Sequence, residues 1–158
     1  MKISYKGDYA IKALLFLAIK YEEGRNNYSQ LAEISKTQDI PLKFLEQIML
    51  ILKNAGYVES HRGKKGGFSI SKKPSDITLG EIIRLIDGPI SPIACVSKTG
   101  YKYCDFEDKF NYACVLKPIW KEVANATSSI VDSITFRDLV EKEKELLVKK
   151  TGSYAYEI

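Results

Sequence analysis

Residues 41–71 read PLKFLEQIMLILKNAGYVESHRGKKGGFSIS, and this stretch decides the fold. Apolar residues recur at helical spacing until the Asn-Ala-Gly stop at 54–56, which predicts a helix that opens near Pro41. Its inner stripe is predicted to consist of Leu42, Leu45, Ile48, Met49 and Leu52. Two β-like runs follow, at 57–60 and 68–71, and they flank the glycine-rich basic segment 61–67. This pattern predicts a β-ribbon with a cationic tip.

Two more helices are predicted upstream of this stretch. Residues 9–21 carry apolar side chains at helical spacing on much of the circumference. A short helix over about 29–35 is predicted to begin with Ser29 as its N-cap and to turn Leu31, Ala32 and Ile34 inward. The helix over about 29–35, a tight turn, the helix that opens near Pro41 and the basic hairpin together predict a winged helix-turn-helix. The second helix of this motif, which opens near Pro41, is the reading helix that fits the major groove of DNA.

The side chains predicted on the outer face of the second of these helices can read base edges. Lys43 and Gln47 can donate hydrogen bonds, and Glu46 can accept one from a cytosine amino group. The wing cations can contact phosphates or enter the minor groove, and they are Arg62, Lys64 and Lys65. The alternative is a small core with a solvated charged face.

The distribution of charge favours a polyanionic partner for the first half. Residues 1–73 carry 13 Lys/Arg against 7 Asp/Glu, whereas residues 74–158 carry 11 against 13. The basic excess therefore lies beside the predicted reading helix and wing. A solvated basic surface is the alternative explanation.

Length and composition fit one domain with an appendage. The 158 residues are 45% hydrophobic and 28% charged, which excludes an intrinsically disordered chain. No apolar run is long enough to span a bilayer, and no signal-peptide pattern is present, so we expect a cytoplasmic protein without a membrane partner. Three cysteines, an odd number, argue against a disulfide framework.

The second half predicts a helix, a cysteine-containing loop and a long helix. Thr78 and Glu81 match a capping box, and the helix that they open ends at 87–89. The long helix runs from about Lys117, and its apolar stripe, Ile119, Val123, Ala126, Ile130 and Ile134, is as narrow as a helix-pairing seam. Packing of this stripe on its own domain is the alternative. Residues 135–148 predict a short terminal helix, and 149–158 a disordered tail.

The loop at 89–114 contains all three cysteines, with the spacing Cys95-x8-Cys104-x9-Cys114. This is not the CxxC knuckle of common zinc sites. Three thiols in one loop nevertheless suit a soft metal centre, either an iron–sulfur cluster, zinc or copper(I). Chance placement is the alternative.

Four segments carry a family resemblance: residues 1–10, 44–48, 54–58 and 62–68. Together they resemble the Rrf2 family of bacterial regulators, which includes IscR, NsrR and CymR, over about residues 1–140. The resemblance implies a mainly α fold with a small β-hairpin wing: a winged helix-turn-helix plus a long C-terminal dimerisation helix. It further implies a homodimeric transcription factor, expected to be a repressor, on a pseudo-palindromic operator of double-stranded DNA.

The resemblance implies roles for individual residues. On the reading helix these are Pro41, Lys43, Glu46 and Gln47, and on the wing they are Arg62 and Lys64. We complete the candidate DNA-binding set with Ser29, His61 and Lys65. The dimerisation residues are Ile119, Val123, Ala126 and Ile130.

Cluster-binding members of the family hold iron with three cysteines in this loop, which implies Cys95, Cys104 and Cys114 as ligands. Lys117 occupies the place of the histidine that completes IscR-like sites. Asp8 from the other protomer is therefore the implied fourth ligand, as in NsrR-like members. Asp105, Glu107 and Asp108 are alternative oxygen donors, and Asp8 could instead be a helix-start carboxylate. The implied cofactor is a 2Fe–2S or 4Fe–4S cluster that senses iron–sulfur status, nitric oxide or redox state.

Two other functions compete with cluster sensing. Residues 87–92 look like CymR, which implies a cluster-free regulator controlled by a partner protein or by thiol oxidation. An enzyme is not expected, because His61 is the one histidine and no phosphate-binding or dinucleotide fingerprint occurs. The expected organisation is a DNA-binding domain at 1–88, the cluster-binding loop at 89–114, dimerisation and terminal helices at 115–148, and the tail at 149–158.

Overall fold

A computed structural model of the chain describes residues 2–24, 28–63, 66–106, 109 and 113–153. The first half contains three helices and a hairpin in the order α1 (Tyr5–Glu22), α2 (Leu31–Gln38), α3 (Leu42–Asn54), β1 (Val58–His61) and β2 (Gly67–Ile70). The second half contains α4 (Leu79–Asp87), α5 (Leu116–Ser133) and α6 (Phe136–Ser153), with single 3-10 turns at Pro74–Asp76 and Ala94–Val96. The predicted mainly α fold with a small hairpin is confirmed.

Helix α1 is the centre of the core. Its buried face packs against α3, α4, α6 and the hairpin, and it includes Ala10, Ala13, Leu14, Leu17 and Ala18. The facing side of α3 is formed by four of the five predicted residues, Leu45, Ile48, Met49 and Leu52, all of them fully buried. Because α1 lies beneath the reading helix and also touches α4, it joins the two halves of the chain.

Two residues predicted to face inward lie on the surface. Leu42 is 46% exposed, and Ala32 is exposed as well. Leu42 is the first residue of α3 and lies roughly 70° around the helix from the middle of the buried stripe, so it falls at the edge of the packed surface. On α2 only Ile34 is buried, because an eight-residue helix turns a single narrow side to the core.

The segment that leads into α2 pairs with the hairpin. Ser29 and Phe68 exchange two backbone hydrogen bonds of 2.8 Å, which adds a bridge alongside β2. A Cβ at Gly67 would lie 2.4 Å from the carbonyl oxygen of Ser29, so glycine is what allows this close approach. The prediction that Ser29 caps α2 is wrong: Gln30 is the N-cap residue, and Ser29 is occupied by the bridge.

The start of α1 is fastened to the end of α4. Ser4 accepts a hydrogen bond from the Gly7 amide at 3.0 Å, and its own amide and hydroxyl both donate to the Asp87 carboxylate. A Cβ at Gly7 would approach the Asp87 carboxylate to 2.3 Å, so the contact depends on glycine at that position. This clamp sets the position of the N-terminal residues relative to the beginning of the cysteine loop.

Helix α4 begins with the predicted capping box, which is confirmed. Thr78 accepts from the Glu81 amide at 3.3 Å, and the Thr78 amide donates to the Glu81 carboxylate at 2.8 Å. One turn later, Arg84 donates two hydrogen bonds to Asp132 of α5, at 2.6 and 2.8 Å. This bidentate pair fixes α5 against α4, because the two Nη atoms of Arg84 each donate to a different carboxylate oxygen of Asp132.

We expect Asp132→Asn to lower the free energy of unfolding by about 0.5–1 kcal/mol at pH 7. The hydrogen bonds from Arg84 hold the pKa of the Asp132 carboxyl below its ordinary range. The pair therefore stabilises the fold above the pKa of an unfolded aspartate, about 3.9, and this stabilisation is lost as the pH falls below that value. Urea unfolding at pH 7 and pH 3 measures the change, with Glu122→Gln on the same helix as control. An equal difference at both pH values would contradict the assignment.

Helix α6 extends further than predicted. It runs to Ser153, so residues 149–153 are helical and not part of a disordered tail. Ion pairs one turn apart support this highly charged helix, as Arg137 with Glu141 and Lys142 with Glu145 illustrate. Residues 154–158 lie outside the described part of the chain. No helix within the described part is both long and apolar enough to cross a membrane.

Candidate nucleic-acid interface and metal centre

The outer face of α3 carries the predicted reading residues. Lys43, Glu46 and Gln47 are all exposed, on the side away from the buried stripe. Pro41 is also exposed and serves as the N-cap residue of α3. A helix whose N-terminal turns present one cation, one carboxylate and one amide offers both donors and acceptors to base edges.

The wing begins directly after β1 with the exposed guanidinium of Arg62. Gly63 has φ 116°, a conformation that L side chains rarely adopt, and a Cβ at Gly66 would lie 2.2 Å from the carbonyl oxygen of His61. Glycine is therefore required on both sides of the wing tip. The tip residues Lys64 and Lys65, also predicted to contact DNA, lie outside the described residues.

The structure places His61 at the base of the wing and not at its tip. The His61 Nε2 atom lies 2.8 Å from the Ser69 hydroxyl, which in turn donates to Glu59 at 3.2 Å. The imidazole ring also lies against Tyr28, with ring centroids 5.2 Å apart. His61 therefore braces the hairpin against the segment before α2. Ser29 is 3% exposed, and this burial conflicts with the prediction that its side chain contacts DNA.

Contacts that sequence reasoning missed hold the reading helix in place. Tyr5, Tyr9 and Phe44 form a ladder of rings, with successive centroids 6.4 and 6.3 Å apart, that runs from α1 to α3. At the other end of α3, Lys53 donates to the Ser60 hydroxyl at 2.6 Å and so links the helix to β1. The spacing of Tyr5 and Tyr9, four residues apart, was the available signal for the first contact.

The three cysteines are not joined by disulfides, and they lie in different surroundings. Cys95 is half-buried in the 3-10 turn, Cys104 is exposed, and Cys114 is half-buried just before α5. Among the described residues, no three histidine, cysteine or acidic side chains lie close enough together to hold a metal ion. The single chain thus supplies soft donors of the right chemistry without assembling them. The alternative donors Glu107 and Asp108 lie outside the described residues.

Asp8 lies in the first turn of α1 and faces Lys12. The Asp8 carboxylate and the Lys12 ammonium are 2.7 Å apart, and this hydrogen bond raises the pKa of Lys12. The Asp8 side chain is half-exposed and opens onto a groove of about 870 Å³, whose apolar floor includes Ile83 and Val131. A residue from elsewhere can therefore reach the carboxylate.

The apolar stripe of α5 is exposed in the single chain. Ile119, Val123 and Ile130 are 53%, 40% and 61% exposed, and Ala126 is also on the surface. The helix contacts its own domain through a different side, on which Ala124 and Val131 are buried. The alternative prediction, that the stripe packs on its own domain, is therefore wrong for these four residues.

The chain also matches a known protein family. The family described as "Rrf2: Iron-dependent Transcriptional regulator" matches residues 3–142. The chain belongs to the Rrf2 family. It is therefore a winged-helix transcriptional regulator by descent, and the resemblance noted in the sequence is confirmed.

Three members of the Rrf2 family show how similar the chain is to known proteins. An HTH-type transcriptional regulator of Rhodobacter capsulatus, named rrf2-like, is 39% identical over 87% of this chain and 91% of its own. The transcriptional regulator CymR of Bacillus subtilis is 35% identical over 88% of this chain and 89% of its own. Its solved structure has a TM-score of 0.73 and 32% identity, and covers 90% of this chain and 98% of that one. The solved structure of T. potens IscR has a TM-score of 0.71 and 29% identity, and covers 92% of this chain and 90% of that one.

Proposed function

We propose that this Rrf2 protein is a homodimeric repressor that reads a pseudo-palindromic operator, with α3 in the major groove and the wing on the adjacent minor groove. The observation that carries the proposal is the exposed face of α3, which presents Lys43, Glu46 and Gln47, and the same segment of chain leads through β1 to the exposed Arg62. The basic excess of residues 1–73 supports it, since phosphate contacts supply much of the affinity for DNA.

The proposed dimer joins two copies along α5. A stripe of large apolar side chains left in water favours association, because burying it removes apolar surface from the solvent. A two-fold dimer would place two reading helices in successive major grooves, which is why the operator is expected to be palindromic. The four stripe residues named above are the proposed dimer contacts.

We further propose that the cysteine loop holds an iron–sulfur cluster with Cys95, Cys104 and Cys114 as ligands and Asp8 of the partner subunit as the fourth. Thiolates are the preferred ligands of such clusters, and the loop contributes three. The groove beside Asp8 supports an approach from another chain. The bound cluster would supply a redox-active and nitric-oxide-reactive centre of 2Fe–2S or 4Fe–4S type. The Asp8 carboxylate would then have to leave its ion pair with Lys12 in order to bind iron.

A cluster-free regulator controlled by a partner protein or by thiol oxidation is the second candidate. The similarity to CymR favours it, as does the separation of the three thiols in the single chain. In this case the exposed Cys104 would be the first thiol to react, because access and thiolate character control oxidation.

One experiment separates the two candidates. The protein is purified without oxygen, its iron and sulfide are counted, its absorption spectrum is recorded, and duplexes are then selected from a random pool with and without the cofactor. Iron and sulfide in cluster stoichiometry with selection of a palindrome support the cluster-sensing repressor. A colourless protein that selects the same palindrome favours the cluster-free candidate. Failure to select any duplex would refute DNA reading itself.

We expect Glu46→Ala to relax the preference at one base position in each half-site, with a loss of discrimination of about 1–3 kcal/mol. A carboxylate repels phosphates and gains only from a base donor, so discrimination should fall more than overall affinity. Binding to operator variants at each position measures this, with Glu33→Ala on α2 as the matched removal of a carboxylate. An equal gain of affinity for every variant would show that Glu46 is merely a repulsive charge.

A further inference from the structure

One large apolar side chain stands on the reading face of α3. Leu50 is 58% exposed, although its neighbours Met49 and Leu52 are fully buried. Positions 43, 47 and 50 are spaced by four and three residues, so Leu50 lies on the same helix face as Lys43 and Gln47. Two polar side chains and one leucine therefore form a single outward stripe.

The other exposed apolar side chains of α3 lie away from this stripe. Phe44 packs edge-on against the ring of Tyr9, and Leu42 borders the buried face. Leu50 instead points in the direction in which Lys43 and Gln47 point, away from α1. The charged side chains exposed on α3 are Lys43, Lys53 and one carboxylate, Glu46, which lies one turn before Leu50. The exposed Arg62 follows β1, so the net charge of this set is positive. This charge favours duplex DNA as the occupant of the face.

The major groove of DNA offers one apolar group to such a side chain, the C5-methyl of thymine. We propose that Leu50 contacts a thymine methyl in each half-site and that it makes this regulator select thymine at that position. The inference rests on the proposed function, because it requires α3 to lie in the major groove. It adds a specificity contact that depends on shape and hydrophobicity, next to the hydrogen-bonding residues.

The test removes the methyl group from the DNA and the side chain from the protein. A palindromic duplex is first selected from a random pool with the full-length protein. Each thymine of the half-site is then replaced by deoxyuridine, one at a time and symmetrically, and the dissociation constants are compared. The variants are Leu50→Ala and Leu50→Gln, and Leu146→Ala removes another exposed leucine from α6 as the control.

The wild type and Leu146→Ala should bind about fourfold more weakly per half-site when the contacted thymine loses its methyl, because about one buried methyl group is lost. Both Leu50 variants should bind the thymine and deoxyuridine duplexes with equal dissociation constants, and circular dichroism should show that they remain folded. The proposal is overturned if the wild type tolerates every deoxyuridine, or if the Leu50 variants keep the wild-type ratio. If no duplex is selected, the proposed function is refuted, and this inference is refuted with it.

Discussion

Replacing Val123 and Ile130 together with aspartate should convert the protein to a folded monomer that no longer retains its operator. Both side chains are exposed in the single chain, so the substitutions leave the core intact. In a two-fold seam they would bring four carboxylates into an apolar contact, and we expect the dimer dissociation constant to rise about a thousandfold. Sedimentation velocity measures the association, and a gel-shift titration measures operator binding.

The control for the seam variant carries the same number of new carboxylates elsewhere on α5. Lys121→Asp combined with Asn125→Asp places them on a side of the helix away from the stripe. This variant should remain dimeric. If the Val123/Ile130 variant also stays dimeric, the two copies meet through another surface and the assignment of α5 as the dimerisation helix is wrong.

Replacing any one of Cys95, Cys104 and Cys114 with alanine should abolish stable cluster binding. Iron–sulfur cores require thiolate ligands, and the one histidine of the chain is held by Ser69 at the base of the wing. Iron content and visible absorbance after anaerobic purification measure the loss. Zinc, or no metal, in the reconstituted wild type would refute the cluster and leave the cysteines as thiol-switch candidates.

Asp8→Ala should behave differently from the cysteine variants, because three thiolates remain. The cluster should assemble but decay faster, whereas Asp76→Ala, which removes another surface carboxylate, should leave its lifetime unchanged. Mixed dimers test the cross-chain assignment directly. With Asp8→Ala on one chain and Cys95→Ala on the other, one complete site should survive per dimer. Mixed dimers without any cluster would contradict the assignment of Asp8 to the partner's site.

Local patterns were sufficient to predict the elements that carry the proposed interface. The stop at 54–56, the glycines of the wing and the capping box at Thr78 each act within a few residues of their own position. The exposure of the stripe on α5 could not be predicted from its spacing alone, because seam packing and core packing produce the same spacing; the family resemblance pointed to the seam. The structure distinguished them by burying Ala124 and Val131 instead.

The contacts that the sequence did not reveal join residues far apart in the chain. Ser29 resembled an N-cap because its partner, Phe68, is 39 positions away and leaves no local trace. Arg84 and Asp132, and likewise Ser4 and Asp87, are paired only once α4 is in place. The same limit of sequence-based prediction applies to the candidate metal site. Its thiols are evident in the sequence, whereas their assembly depends on chain folding and on the proposed second copy.

The packing of α5 on α4, which includes the Arg84–Asp132 pair, has a consequence for the proposed dimer, because it ties the proposed dimerisation helix to the DNA-reading half. Helix α5, with 18 residues, is about 27 Å long. A tilt of about 7° at one end of such a rod displaces the other end by about 3.4 Å, which is the rise of one base pair. In the proposed dimer, a rotation of this size about the seam would move the reading half by a distance on the scale of one base step, so the half-site spacing should report the angle between the subunits.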